Sequence, residues 1–236
     1  MSPESPVLPS YLIGLDLGRV RDYTALCVVE QWAAPGGAGY DVRHLDRWRD
    51  LSYTEVPGRV RAVLDGLQAA ADRHDLARYG PNRLGRVRVD ATLVVDQTGV
   101  GLAVVDHLRD AGLDPVAITI HGGDAVGGDA GAGYRVPKRD LAGVVQVLLQ
   151  ARRLRIADGL ALAGTLADEL KNFRATITLG GHDSYGAGTD WRDSAHDDLV
   201  LSVAMACWLG EHRAGATLRP PSPELRRYFA GWPGDG

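Results

Sequence analysis

The 236-residue chain is long enough for one sizeable domain with a hydrophobic core. It is 45% hydrophobic and 24% charged, with 30 glycines and 12 prolines, a balance that argues against a disordered, collagen-like or coiled-coil protein. The formal net charge of -4 lacks the overall basic character that duplex-binding proteins present to phosphates. Any nucleic-acid partner must therefore be recognised by local features of the sequence.

The chain start and the two cysteines give no sign of export. Residues 1–10 lack both a basic and an apolar segment, so we expect a disordered lead-in rather than a signal peptide. No apolar run reaches the roughly 18 residues that span a bilayer, and we expect no membrane partner. Cys27 and Cys207 lie far apart in apolar runs. We expect both to be core residues in a reducing compartment, without a disulfide or a thiolate zinc site.

The first third of the chain predicts three antiparallel strands and a helix. Residues 11–17 and 24–32 are apolar, β-rich runs, and residues 40–48 alternate apolar and polar side chains. Short turn-forming segments separate the three runs. Apolar residues at helical spacing within 55–78 then predict a surface helix.

The rest of the chain predicts parallel strands and further helices. An apolar strand at 92–101, a helix to about residue 111 and a strand at 115–121 form a βαβ unit, which requires parallel pairing. A glycine-rich loop is expected at 122–133. Helices are predicted at 138–152, 160–174 and 195–211.

These elements predict one α/β domain over residues 11–212, with an irregular C-terminal tail at 213–236. We find no internal repeat, and the glycine-rich loops are too short to be domain linkers. The expected fold is a mixed sheet, with three antiparallel strands joined to parallel strands, flanked by helices.

Four carboxylates occupy positions that need an explanation. Asp16 lies inside the first apolar run, Asp96 ends the apolar part of the fourth, and Asp197 and Asp198 open the last helix. A charged carboxylate in an apolar run is costly unless it is paired or binds a metal. If the two strands are neighbours, their acids lie about 4.8 Å apart. Hard oxygen ligands select Mg²⁺ or Mn²⁺ over zinc, and a third acid from the helix would complete a two-metal site for phosphodiester hydrolysis.

Three of the four acids, all but Asp198, also have an ordinary structural explanation. Asp16 could close a turn, and Asp96 could cap the helix that follows. Ser194 and Asp197 have the spacing of a capping box. His196 is either a capping or surface histidine or a residue that supports a metal ligand.

Basic residues cluster at the start of the helix predicted at 138–152. Arg135, Lys138 and Arg139 lie at this junction, where cations and helix N-terminal amides can together hold a phosphate. We predict that these three residues contact DNA. The alternative is a solvated helix start.

Four segments carry a resemblance to a known family: IGLDLGRVRDYTALCVVE, VVDQTGVG, YRVPKRDLAGVVQVLLQARRLRI and HDDLVLSVAMACW. They resemble the nuclease domain of bacteriophage large terminase subunits, in the same order, over roughly residues 11–209. The resemblance implies an RNase H-like fold and endonucleolytic cleavage of concatemeric viral DNA during packaging. It also implies double-stranded DNA, a packaging ATPase domain, a small terminase subunit and a portal as partners, in the host cytoplasm.

The same resemblance implies a set of metal ligands. In such nucleases they are an acid in the first strand, an acid in the fourth and an acid at the start of the last helix. This points to Asp16, Asp96 and the pair Asp197 and Asp198, which would hold two Mg²⁺ or Mn²⁺ ions. We expect Asp198 to be the stronger ligand of the pair, because Asp197 can serve the capping box and Asp198 has no such local role.

The sequence departs from the family in two respects. It contains no G-x-x-x-x-G-K-[ST] phosphate loop, so packaging ATPase activity cannot reside in these residues. Leu201 and Ser202 stand where relatives often carry a further aspartate. Three other functions stay open: a Holliday-junction resolvase, an actin-like or sugar-kinase-like ATPase suggested by the DLG and DQTGVG turns, and a DNA-binding module without catalysis.

Overall fold

A computed structural model of the chain describes residues 10–18, 22–80, 88–99, 101–179 and 197–213. Within these ranges a single eight-stranded sheet carries helices on both faces. The strands are β1 (Ser10–Asp16), β2 (Thr24–Ala34), β3 (Gly37–Trp48), β4 (Asp90–Asp96), β5 (Val116–His121), β6 (Gly127–Asp129), β7 (Gly133–Pro137) and β8 (Leu154–Ile156). The helices are α1 (Val56–Tyr79), α2 (Gly101–Asp110), α3 (Lys138–Gln150), α4 (Ala163–Leu179) and α5 (Asp198–Arg213).

The sheet is mixed, with the strand order β6-β7-β5-β4-β1-β2-β3-β8. Strands β1, β2 and β3 pair antiparallel, whereas β4 pairs parallel with β1 and with β5. Helix α2 connects β4 to β5 and completes the predicted βαβ unit. The α/β class and the mixed sheet flanked by helices, with three antiparallel strands joined to parallel strands, are therefore confirmed.

The two faces of the sheet carry different helices. Helices α1 and α2 pack on one face through one apolar cluster, and α3, α4 and α5 pack on the other through a second. Helix α5 is buried from Asp198 to Gly210, because it lies between the sheet and the other two helices. A helix that is apolar all round is typical of such a central position.

The sequence prediction missed three short strands and placed the end of the fourth strand too late. Strand β6 lies within the glycine-rich segment 122–133, which was expected to be a loop, and neither β7 nor β8 was predicted. Strands of three to five residues show too little alternation to be recognised before their partners are known. The fourth strand ends at Asp96; Gly99 after it belongs to a turn, and Gly101 begins α2.

The predicted domain limits lie close to the ends of the described elements. Strand β1 begins at Ser10 and α5 ends at Arg213, so each extends one residue beyond the expected range. The remainder of the predicted lead-in and tail, residues 1–9 and 214–236, lies outside the described residues. Cys27 and Cys207 are buried and free, as predicted. None of the described helices has the length and hydropathy that a membrane crossing requires.

Candidate metal centre

The register of β1 and β4 brings two carboxylates together. Asp16 and Asp96 are the last residues of these parallel, adjacent strands. Leu12 and Val94 belong to the core under α3, α4 and α5. Because side chains alternate between the faces of a strand, Asp16 and Asp96 lie on that same face.

Helix α5 lies directly against β1 and delivers two more acids. A Cβ atom at Gly14 would overlap the carbonyl oxygen of Ser202, so the strand and helix backbones are in contact at this point. One turn before Ser202, Asp198 opens the helix with 8% of its surface exposed. Glycine at position 14 therefore allows the start of α5 to lie over the end of β1.

Asp16 experiences the negative charge of this group. It is 7% exposed, and burial raises the pKa of its carboxyl well above the ordinary value. The carboxylates of Asp96, Asp198 and Asp197 raise the pKa further, and the ammonium group of Lys138 lowers it. Carboxylates at the end of β4 and at the start of α5 therefore act electrostatically on Asp16.

Asp96 also has a local role in the turn after β4. Its Oδ1 accepts hydrogen bonds from the backbone N–H and the hydroxyl of Thr98, and the Thr98 hydroxyl accepts one from the N–H of Ile120 at 2.9 Å. A Cβ at Gly101 would overlap the carbonyl oxygen of Asp96, so α2 must begin with glycine here. These hydrogen bonds give Asp96 a structural role in the turn after β4, and they orient its side chain at the end of that strand.

Asp198 is contacted by Arg47, which the sequence analysis did not identify as a site residue. The Nη2 atom of Arg47 lies 2.7 Å from Oδ2 of Asp198 and 3.5 Å from Oε1 of Glu169. The guanidinium group of Arg47 stacks 3.9 Å from the centre of the Tyr23 ring, and 12% of the side chain is exposed. Arg47 thus bridges β3 to both α5 and α4.

Glu169, on helix α4, accepts a hydrogen bond from the first turn of α5. Its Oε2 accepts a hydrogen bond of 3.0 Å from the N–H of Val200. Burial raises the pKa of Glu169 to about 7, although the Val200 amide and Arg47 lower it, and Asp198 raises it. This carboxylate satisfies an amide that an N-cap side chain would normally bond.

The expected capping box of Ser194 and Asp197 is not the arrangement found. Helix α5 begins at Asp198, and the carbonyl of Asp197 accepts the first helical bond from Leu201 at 2.9 Å. Asp197 therefore stands at the N-cap position, before the first turn rather than inside it. Asp197 is therefore not the third helical residue that a capping box requires, and Glu169 bonds the Val200 amide of this turn; Ser194 and His196 lie outside the described residues.

The three predicted DNA contacts differ in their surroundings. Lys138, with 22% of its side chain exposed, binds Oδ2 of Asp197 at 2.9 Å. Arg139 has 57% of its side chain exposed and pairs with Asp124, and Arg135 is exposed on β7. Arg135 and Arg139 present their charge at the surface, whereas Lys138 faces the carboxylates. Their contact with DNA stays a prediction.

The donor atoms suit a hard divalent cation, because they are carboxylate oxygens. In the described ranges, however, no three His, Cys, Asp or Glu side chains are placed together to hold one ion. Asp198 and Asp197 are instead hydrogen-bonded to Arg47 and Lys138. The four acids therefore have the chemistry of a metal site, but two of them, Asp198 and Asp197, are paired with basic side chains of the protein.

Comparison with known proteins gives a distant structural similarity. No family model matches the sequence, and no curated protein matches it. The similar solved structures include the large terminase nuclease of the thermophilic phage G20c with bound magnesium, at 21% identity and a TM-score of 0.45, covering 87% of this chain and 82% of that one. They also include the human cytomegalovirus terminase nuclease domain, Mn soaked and inhibitor bound, at 13% identity and a TM-score of 0.45, covering 90% and 89%. Both are terminase nucleases, the family that the sequence segments resemble. Similarity at this level does not by itself establish the function of the chain.

Proposed function

We propose that the chain is a divalent-metal-dependent endonuclease that cuts double-stranded viral DNA during genome packaging. The observation that carries the proposal is the position of Asp16, whose pKa is raised by burial and by the carboxylates of Asp96, Asp198 and Asp197. A fold gains no stability from placing like charges around a buried carboxylate. A site that binds cations accounts for this arrangement.

The proposed site uses two ions of Mg²⁺ or Mn²⁺. Asp16, Asp96 and Asp198 would hold them, with Asp197 as a weaker ligand. Two such ions activate a water molecule and stabilise the leaving oxygen of a phosphodiester. Asp96 keeps its orientation through Thr98. Asp198 would keep Oδ2 on Arg47 and offer its other oxygen to an ion, whereas Asp197 would turn from Lys138 toward Asp16.

In this proposal the basic residues at the surface bind the phosphates of the DNA backbone. Arg135 and Arg139 would contact phosphates without reading sequence, and Lys138 would be available to the phosphate near the acids once Asp197 turns away. By the family resemblance, we also propose a packaging ATPase domain, a small terminase subunit and a portal as partners, in the host cytoplasm.

Plasmid cleavage tests the proposed function directly. Supercoiled plasmid is incubated with the protein and Mg²⁺, Mn²⁺ or EDTA, and nicked and linear products are measured. The Asp96→Asn variant should be inactive, whereas Asp90→Asn, at the exposed opposite end of β4, should cut like the wild type. Absence of cleavage with either metal would refute the proposal.

Two further substrates separate the alternatives. A four-way junction cut in preference to linear duplex would favour a resolvase. ATP hydrolysis without DNA cleavage would favour the kinase-like ATPase. DNA binding without either reaction would leave a non-catalytic module.

A further inference from the structure

A β-bulge in β3 determines which way Arg47 points. His44 pairs with Val28 and Val42 pairs with Val29, so Arg43 is an extra residue on β3. Beyond such a bulge, the alternation of side chains between the two faces is shifted by one residue.

The core contacts show the effect of this shift. Before the bulge, Tyr40 and Val42 lie in the core under α3, α4 and α5, and after it Leu45 does. Arg47, two residues beyond Leu45, faces the same way and pairs across the sheet with Ala25, which pairs with Asp16. Without the extra residue, Arg47 would face the opposite side of the sheet. The bulge therefore places a guanidinium in the same cross-strand row as Asp16.

Glu169 acts on the same turn from above the sheet. It is buried on α4 and bonds the N–H of Val200, and Arg47 lies between its Oε1 and the carboxylate of Asp198. The start of α5 is therefore held twice, at its backbone by Glu169 and at its first side chain by Arg47.

We propose that Arg47 and Glu169 are positioning residues that hold the first turn of α5 so that Asp198 faces the carboxylates of β1 and β4. This inference rests on the proposed function, because it concerns the same site. Neither residue touches the ions or the DNA in this scheme. Arg47 orients Asp198, and Glu169 fixes the backbone that carries it.

If Arg47 orients Asp198, its replacement should affect metal affinity and the cleavage rate differently. Arg47→Met removes a positive charge 2.7 Å from a ligand oxygen, so divalent cations should bind no more weakly than to the wild type. The orientation of Asp198 is lost at the same time. Because residues that orient metal ligands typically contribute about 10- to 100-fold, plasmid nicking at saturating Mn²⁺ should fall about tenfold or more.

The matched control is Arg153→Met. Arg153 is a similarly buried arginine, with 15% of its side chain exposed, that pairs with Glu211, away from the acids. This variant should lose stability through the lost ion pair but keep the Mn²⁺ affinity and the nicking rate of the folded protein. Calorimetry gives the affinity, and nicking under saturating Mn²⁺ gives the turnover. The inference is overturned if Arg47→Met weakens both the Mn²⁺ affinity and the nicking rate, or if it changes neither.

The backbone half of the inference is tested without metal. Hydrogen exchange of the Val200 amide is measured by NMR in EDTA for the wild type, Glu169→Gln and Glu169→Ala. The glutamine carbonyl can still accept the Val200 N–H, so Glu169→Gln should keep most of the protection. Glu169→Ala should exchange about tenfold faster or more, because the buried Val200 N–H loses its carboxylate acceptor. The neighbouring Asp168→Asn, an exposed residue, should match the wild type.

The outcomes distinguish the inference from the function on which it rests. Equal Val200 exchange in the wild type and Glu169→Ala overturns the positioning role even if the wild type cuts DNA. A wild type that neither binds Mn²⁺ nor cuts DNA refutes the proposed function, and the exchange experiment still decides whether Glu169 holds α5.

Discussion

Replacement of Asp16 by asparagine should stabilise the metal-free protein while it abolishes cleavage. The wild-type carboxyl is buried and lies among like charges, which raise its pKa. Ionisation therefore costs more in the folded than in the unfolded state, so wild-type stability decreases as the pH rises above the ordinary aspartate range. Asparagine has nearly the same shape and no charge, and it removes this dependence.

The size of the effect follows from the strand geometry. Asp16 and Asp96 end adjacent parallel strands, which lie about 4.8 Å apart. Two unit charges at that separation repel by about 3 kcal/mol at an effective dielectric constant of about 20. Lys138 offsets part of this repulsion, so we expect a gain of about 1 to 3 kcal/mol at pH 8. For a chain of this size the melting temperature should rise by about 3 to 10 °C.

Thermal unfolding in EDTA between pH 5 and pH 8.5 measures this prediction. The difference between Asp16→Asn and the wild type should grow with pH, and Asp90→Asn should show no such trend. With Mn²⁺ the order should reverse, because only the wild type gains stability from bound ions. An Asp16→Asn variant that melts below the wild type at pH 8 in EDTA would refute the electrostatic reasoning.

Three further predictions concern the α5 acids, the contact of α5 with β1 and the surface arginines. Asp198→Asn should abolish plasmid nicking without unfolding, whereas Asp197→Asn should lose some stability and part of the activity; an active Asp198→Asn beside a dead, stable Asp197→Asn would reverse their roles. Gly14→Val should lower the free energy of unfolding by about 1 to 3 kcal/mol or more in urea titrations, because its side chain would push α5 off β1. Combined Arg135→Ala and Arg139→Ala should weaken binding to all DNA sequences alike and reduce its salt dependence; unchanged affinity at low and moderate salt would contradict this.

The sequence by itself determined the principal strands, the βαβ unit and the acids at their ends. Apolar runs and alternation are local properties, so they locate β1, β2, β3 and β4 without knowledge of their partners. A carboxylate within an apolar run is equally local evidence, and Asp16 and Asp96 were identified in this way. The sequence analysis could only assume that β1 and β4 are neighbours, and the structure shows that they pair in parallel.

Only the tertiary structure decided how the acids are held. The bulge at Arg43 adds a single residue to β3 and interrupts the alternation between Val42 and Leu45, but only the packed structure shows that this interruption turns Arg47 toward Asp198. Glu169 looked like an ordinary polar residue of a surface helix, because its partners lie on other elements: Val200, 31 residues away in the chain, and Arg47 on β3. Local spacing suggested that Ser194 and Asp197 cap α5, whereas a carboxylate from α4 bonds that turn. Contacts between distant segments depend on how helices pack over the sheet, and this packing cannot be read from the residues on either side of a helix start.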